Sequence, residues 1–514
     1  MNKPSLTHFT RTLSRYWFPY ETEERYAVSS WVFVRVLALI YFSVFLSLSS
    51  QVAGLLGNDG ILPAQEVLSA AEKKYSAFAF FRFPTLFWYG AIDFFLIGVC
   101  WIGLLSSVFL FLGFYSAGFL VTLYICFLSF TSVGANFFSF LGDHLLLETG
   151  FLSLFFISFR SWLPLQKTPN PPKMIRYLVW WLIFRVHFQS VIHELTAGGN
   201  LLNSLSFTRL FYQNQPLPSQ YAWYFYHLPT FFHWLYAITC LIVRTIFPFF
   251  IFGPQHLRWI TAAILAVTQL IPLLTGNYGV FSLLVMALCL FLLDDSFWKK
   301  LFPFATDLID RLGGNKYRGF SQITHGFVFA IVLFITTASL YLPFLGSLTR
   351  VFRGKEFLSL FSTFGLSSQY AFQIDQQKLR PELMIEGSVD GTNWKPYEFK
   401  WKPESPKQLS SFLFTYHPRL DWQMADAART LNSPPEWVHR FCKQLLHGSK
   451  PVLQLLANNP FPDMMPTTIR INYYKHHFTD FFTEDRESMT RSLHKNDTLY
   501  LECKTMTRQQ KLLK

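Results

Sequence analysis

The stretch Phe137–Phe151 reads Phe-Phe-Ser-Phe-Leu-Gly-Asp-His-Leu-Leu-Leu-Glu-Thr-Gly-Phe and sets Asp143, His144 and Glu148 inside an otherwise apolar run. Ionisable groups at membrane depth are costly, so they face a bundle interior and take partners there. Neighbouring helices must therefore pack around this run. His144 and Glu148 stand one helical turn apart and share a face, whereas Asp143 points about 100° away toward a different neighbour. The three fit either an interhelical polar clamp or a catalytic or ligand site.

Eight further apolar runs recur along the chain, giving predicted spans at 31–52, 87–105, 108–130, 135–158, 177–195, 230–252, 257–274, 278–293 and 324–345. Only 15% of the 514 residues are charged, against about 25% in soluble domains, and the mean hydropathy is +0.26. The predicted fold is an α-helical polytopic membrane bundle of about nine spans followed by a soluble α+β C-terminal domain. Its segments are a cytoplasmic N-terminal segment 1–30, a transmembrane domain 31–346 and a non-cytoplasmic domain 347–514. Basic residues concentrate in the loops 159–176 and 294–322, which alternation puts on the side of the N-terminus, as the positive-inside rule asks. The same alternation places everything after Leu345 on the opposite side.

The net charge of +13 is distributed over such loops, so membrane lipid and not nucleic acid is the expected partner. Six cysteines occur without a Cys-x-x-Cys pair, and neither a metal site nor a cofactor is expected. Cys442 and Cys503 fall in the outer domain, where a bridge and simple burial are both open.

The fifth span carries Arg185, Gln189 and His193 at four-residue steps, a polar stripe on one face. Arg185 is expected to pair with Asp143 or Glu148, with the deeper Glu148 favoured. His193-Glu194 begins a zinc motif that Ala197 breaks. Gly276-Asn-Tyr-Gly279 reads as a turn between two spans. In the outer domain, residues 383–391 read as a strand entering an Asp-Gly turn. Residues 436–448 read as a helix, and 467–478 and 498–504 as strands. His417-Pro-Arg-Leu-Asp-Trp-Gln-Met424 brings Arg419, Asp421 and Trp422 together, with the Arg–Asp pair organising a loop.

Asp143–Leu152, Gln215-Pro-Leu-Pro218 with Trp223-Tyr224, Thr275–Tyr278 with Leu293-Asp-Asp295, Glu386–Gly391, His417–Met424 and Asn459-Pro-Phe461 occur in this order along the chain. In this series the chain resembles the lipase maturation factor family from about Trp31 to Asp480. It departs from the usual pattern at Gly142, where the family carries Trp. The resemblance implies a multi-pass protein of the ER membrane, or of the inner membrane in a bacterium, that matures exported, lipase-like client proteins through its C-terminal domain. It points to Gln215, Trp223, Arg419, Asp421 and Trp422 as binding residues. The membrane half also resembles, more faintly, the vitamin-K-dependent carboxylase fold. That likeness implies an alternative, an integral-membrane enzyme acting on a lipid or quinone-like substrate with its site among Asp143, His144, Glu148, Arg185 and His193.

Overall fold

A computed structural model describes residues 25–114, 116–157, 168–196, 208–315, 320–341, 361–366, 368–370, 380–402, 411–430, 434–479 and 490–504. Most of the expected N-terminal segment, part of the basic loop 159–176 and the boundary at 346/347 lie outside the described residues.

Each predicted run contains a helix: α1 (Ala27–Ser49), α2 (Asp93–Leu112), α3 (Ser116–Val133), α4 (Leu141–Ser153), α5 (Lys173–Thr196), α6 (Thr230–Thr245), α7 (Gln255–Gly276), α8 (Gly279–Leu292) and α9 (Gln322–Tyr341). Not all of them qualify as spans. Among the described residues, α1, α2, α3, α7 and α9 are long and apolar enough to cross a bilayer. The total reaches seven if α6 and α8 each count with the helix beside them, from which they bend by 108° and 99°. The expected count of about nine spans is thus not confirmed among the described residues. The 13 residues of α4 rise only about 20 Å, short of a hydrocarbon core of about 30 Å. Helix α5 has the length, but its charged and polar residues lower its apolarity.

The boundary between α2 and α3 also differs from expectation. The sequence suggests a break at Ser106-Ser107, yet both residues are buried inside α2, and Ser107 Oγ donates to Leu104 O at 2.6 Å. A serine bonded back to its own helix is tolerated in an apolar run. The helix instead ends at Gly113, whose φ of 89° suits a left-handed C-cap.

Two ends of the bundle can be told apart. At one end, Asp295 N donates to Arg25 O at 2.7 Å, Tyr26 N to Asn170 Oδ1 at 2.9 Å and Trp259 Nε1 to Asp294 Oδ1 at 2.9 Å. The other end gathers the end of α1, the turn before α4, residues 211–219 and Asn277. The C-terminal part sits on this second end.

That part holds an antiparallel sheet, ordered β2-β1-β3-β4, of β1 (Arg380–Ser388), β2 (Lys395–Tyr397), β3 (Thr468–Phe478) and β4 (Thr490–Lys504). Leu383 pairs with Tyr473 and Ile385 with Ile471, all four buried, as period-two alternation requires. After β1, Asp390 accepts from Thr392 N and Asn393 N, both at 2.8–2.9 Å, and Gly391 takes φ 79°. This is the expected turn. Helix α10 (Arg419–Ala427) occupies the segment read as a loop, and α11 (Glu436–Leu446) packs Trp437, Phe441 and Leu445 inward. One buried apolar cluster runs from α1 through α4 and α8 to Trp437 and Ile469. The C-terminal part is therefore seated in the same core as the membrane helices.

Candidate functional site

Helix α4 presents its two carboxylates to two different partners. Glu148 is completely buried. Arg185 Nη2 of α5 donates to its Oε1, and Tyr370 Oη donates to its Oε2 at 2.7 Å. Tyr370 N donates in turn to Gln189 Oε1 at 3.1 Å. The expected Arg185–Glu148 pair forms, and two residues of the predicted stripe act in one cluster. Tyr370 has no signal in the local sequence. His144 shares the helical face with Glu148, but both oxygens of Glu148 are engaged by Arg185 and Tyr370.

Asp143 finds its partner in the C-terminal part. Arg419, the first residue of α10, donates through Nη1 and Nη2 to Asp143 Oδ2 and Oδ1 at 2.6 and 2.9 Å. Nη1 also donates to Phe137 O at 2.6 Å. The guanidinium lies 3.9 Å from the Phe138 ring centroid, a favourable cation–π approach. Both charged side chains are nearly inaccessible, at 3% and 4%. A bidentate fork of this kind fixes orientation as well as distance. The expectation that Arg419 pairs with Asp421 is corrected: Asp421 Oδ1 accepts from Trp401 N and Lys402 N at 2.9 and 3.1 Å. Burial pushes the Asp421 carboxyl up to about 6 against those amides.

Around this fork the two parts interlock. Arg419 N donates to Gln51 Oε1 at 2.8 Å, Gln51 Nε2 to His417 O at 3.0 Å and His417 N to Ser47 Oγ at 3.1 Å. Gln423 Nε2 donates to Asn136 O at 2.6 Å. Asn277 takes the left-handed conformation, φ 55°. It donates to Leu217 O and Ser411 O and accepts from Leu413 N at 2.8–3.1 Å. The turn read at 276–279 is thus also a three-way fastener. Gly279 lets the segment after Ser411 approach, since a Cβ there would fall 1.5 Å from Phe414 O. Gln51, Ser47, Asn136 and Asn277 went unread as site residues because polar groups in turns carry no distinguishing pattern. Their partners lie 60 to 370 residues away in the chain.

A cavity of about 420 Å³ opens between the parts. Its walls include Asp143, Gln215, His417, Arg419 and Trp422, so three of the five predicted binding residues and one of the predicted catalytic candidates meet here. Burial and the nearby Arg419 push the His417 imidazole down to about 3, leaving it neutral. Glu148, Arg185, His144 and His193 are not among the walls, and neither is Asp421. Trp223 lies apart, donating from Nε1 to Thr479 Oγ1 at 3.3 Å. Among the described residues no cluster of three His, Cys, Asp or Glu side chains could hold a metal ion.

Family models match both parts of the chain: the lipase maturation factor transmembrane domain over residues 28–300 and the lipase maturation factor C-terminal domain over 366–497. Lipase maturation factor 1 of Bos taurus is 27% identical over 471 residues, covering 87% of this chain and 84% of the relative. Lipase maturation factor 2 is 28% identical in both Mus musculus and Xenopus tropicalis, covering 87% and 89% of this chain and 79% of each relative. No solved structure matches the chain.

Proposed function

The chain belongs to the lipase maturation factor family, and on that premise we propose that it is a membrane-embedded maturation factor for exported proteins. Its clients are of the lipase type, as the relatives' names state for them. The C-terminal part faces the ER lumen or periplasm and receives the client there. One observation carries this reading: motif residues from Asp143, Gln215, Asn277 and His417–Trp422 converge on the seam that fixes the C-terminal part to one end of the bundle. A part held by a bidentate fork and a ring of hydrogen bonds is presented in a fixed pose. Exposed Met464 and Met465 on that part supply the adaptable apolar surface that suits contact with incompletely folded chains.

The test uses cells lacking their own lipase maturation factor and a secreted dimeric lipase as reporter. The full chain should restore lipase activity per unit of secreted lipase. Removing residues 347–514 should abolish that restoration. Full restoration by the membrane half alone would exclude the proposal. A glycosylation tag at the C-terminus, modified only if that end is lumenal, tests the orientation separately.

A further inference from the structure

Beside the junction cavity lies a second one of about 130 Å³ between α5, α6 and α7, and the two share Phe211, Tyr278 and Phe281 as walls. The first sits at the seam and is the more polar of the two. The second has Val186, Ala237, Val243 and Pro272 in its walls together with His187, Arg244 and Gln269, and is close to the size that admits a benzene-like group. Together they form a chamber at the seam with a more apolar annex reaching into the helical bundle.

Two of the polar atoms left open in these walls share one chemistry. Gln215 is 2% exposed. Its Nε2 donates to Thr275 Oγ1 at 3.1 Å, and that hydroxyl donates to Ile271 O, which fixes the amide orientation. Its Oε1 is buried without a hydrogen-bond partner among the described residues. His187, 4% exposed, has Nδ1 at 2.9 Å from Ile183 O. Because a carbonyl only accepts, Nδ1 carries the proton and Nε2 is an acceptor, also without a partner among the described residues. Buried acceptors left unpaired are costly. The Gln215 acceptor, in the chamber wall, therefore calls for a head group that donates a hydrogen bond.

The charges in the chamber argue for a neutral occupant. Arg419 is matched by Asp143, and Arg429 Nη1 lies 3.6 Å from Asp426 while its Nη2 donates to Asn214 O at 2.8 Å. An ionised headgroup would leave one buried charge in excess.

We propose that the two cavities together bind a neutral amphiphile bearing hydroxyl or amide N–H donors, its polar head at Gln215 and its apolar body beside Tyr278 and Phe281. Occupancy of this site is tested without a client. The purified full-length protein is incubated with a monoacylglycerol carrying a photoreactive group in its acyl chain, irradiated, and mapped by mass spectrometry. Labelling is expected in peptides containing Phe211, Tyr278 or Phe281. Monooleoylglycerol and oleyl alcohol should compete, whereas methyl oleate, which has no donor, and ionised oleate should compete about tenfold less well, the worth of one hydrogen bond to a buried acceptor. Gln215→Leu removes the acceptor, and Thr415→Trp fills the chamber from a partly exposed wall position. Each should cut labelling about tenfold, and the second keeps the test decisive if the first does not fold. Equal competition by methyl oleate, labelling outside these peptides, or labelling unchanged in Thr415→Trp would overturn the proposal.

Discussion

Replacing Arg419 by Met should destabilise the protein by separating its two parts, and the cost can be worked from the fork. Two opposite charges about 4 Å apart attract by about 4 kcal/mol at an effective dielectric of 20. Breaking a buried pair from one side costs roughly 3–5 kcal/mol, because the remaining charge is stranded. In Arg419→Met the stranded group is Asp143, and Phe137 O also loses a donor at 2.6 Å. A loss of about 4–5 kcal/mol follows from these terms. In Asp143→Leu the stranded group is the arginine, with a similar cost. The double variant leaves no stranded charge, and an apolar replacement of a whole buried pair is often neutral. The assay is thermal unfolding of the detergent-solubilised protein, followed by a fluorescent thiol dye and by size-exclusion after heating. Both single variants should melt several degrees below the parent and the double variant close to it. Single variants that melt with the parent, or a double variant no better than the worse single, would refute the fork as the fastener of the two parts.

Three further outcomes follow from the same seam and the domain it holds. Gly279→Ala should shift the segment after Ser411, since its Cβ would fall 1.5 Å from Phe414 O. Faster proteolysis of that segment measures the effect, and an unchanged cleavage rate would count against the packing described. For Asp421 the folded pKa of about 6 lies above an unfolded value of about 3.9. The folded state therefore binds the extra proton between these values, and stability falls as pH rises from about 4 to 6. Asp421→Asn keeps an oxygen for Trp401 N and Lys402 N and should flatten that slope in urea titrations, whereas Asp421→Ala should lower stability at every pH. The Cys442 and Cys503 thiols hydrogen-bond to each other, which holds Cys503 below its ordinary value and raises Cys442. Iodoacetamide should alkylate Cys503 first and remain effective below pH 8, and preferential labelling of buried Cys442 would contradict this assignment.

The sequence made the deep clamp readable and left the seam hidden, for a physical reason. Glu148 and Arg185 stand in apolar helices, where a charge is costly enough to demand a partner and few candidates exist. The pairing follows almost by elimination. Asp143 lies in the first turn of α4, where an acidic side chain is already favoured by the helix dipole, so its need for Arg419 is not visible locally. The same holds for α10, whose residues 419–424 read as a loop because its buried face is set by contact with the bundle and not by its own periodicity. The span count is not confirmed for a related reason. Apolarity marks helices that meet lipid, whereas α4 and α5 are surrounded by protein and can be short or polar.

That last point bears on how the fold divides its work. Helix α4 is too short to span the bilayer alone, and 10 of its 13 residues are buried. It contributes little lipid contact and a large share of the polar pairing. Its two carboxylates, five residues apart, point to different partners: one ties α4 to α5 and Tyr370, the other to α10. A displacement of α4 along its axis would strain both sets of bonds at once, because among the described residues neither arginine has a second carboxylate within ion-pair distance. The pose of the C-terminal part is thus referred to the interior of the bundle through a single short helix. A client bound above and an amphiphile bound beside Tyr278 would both act on this helix, the first through Arg419 and the second through the wall of the cavity that Asp143 shares.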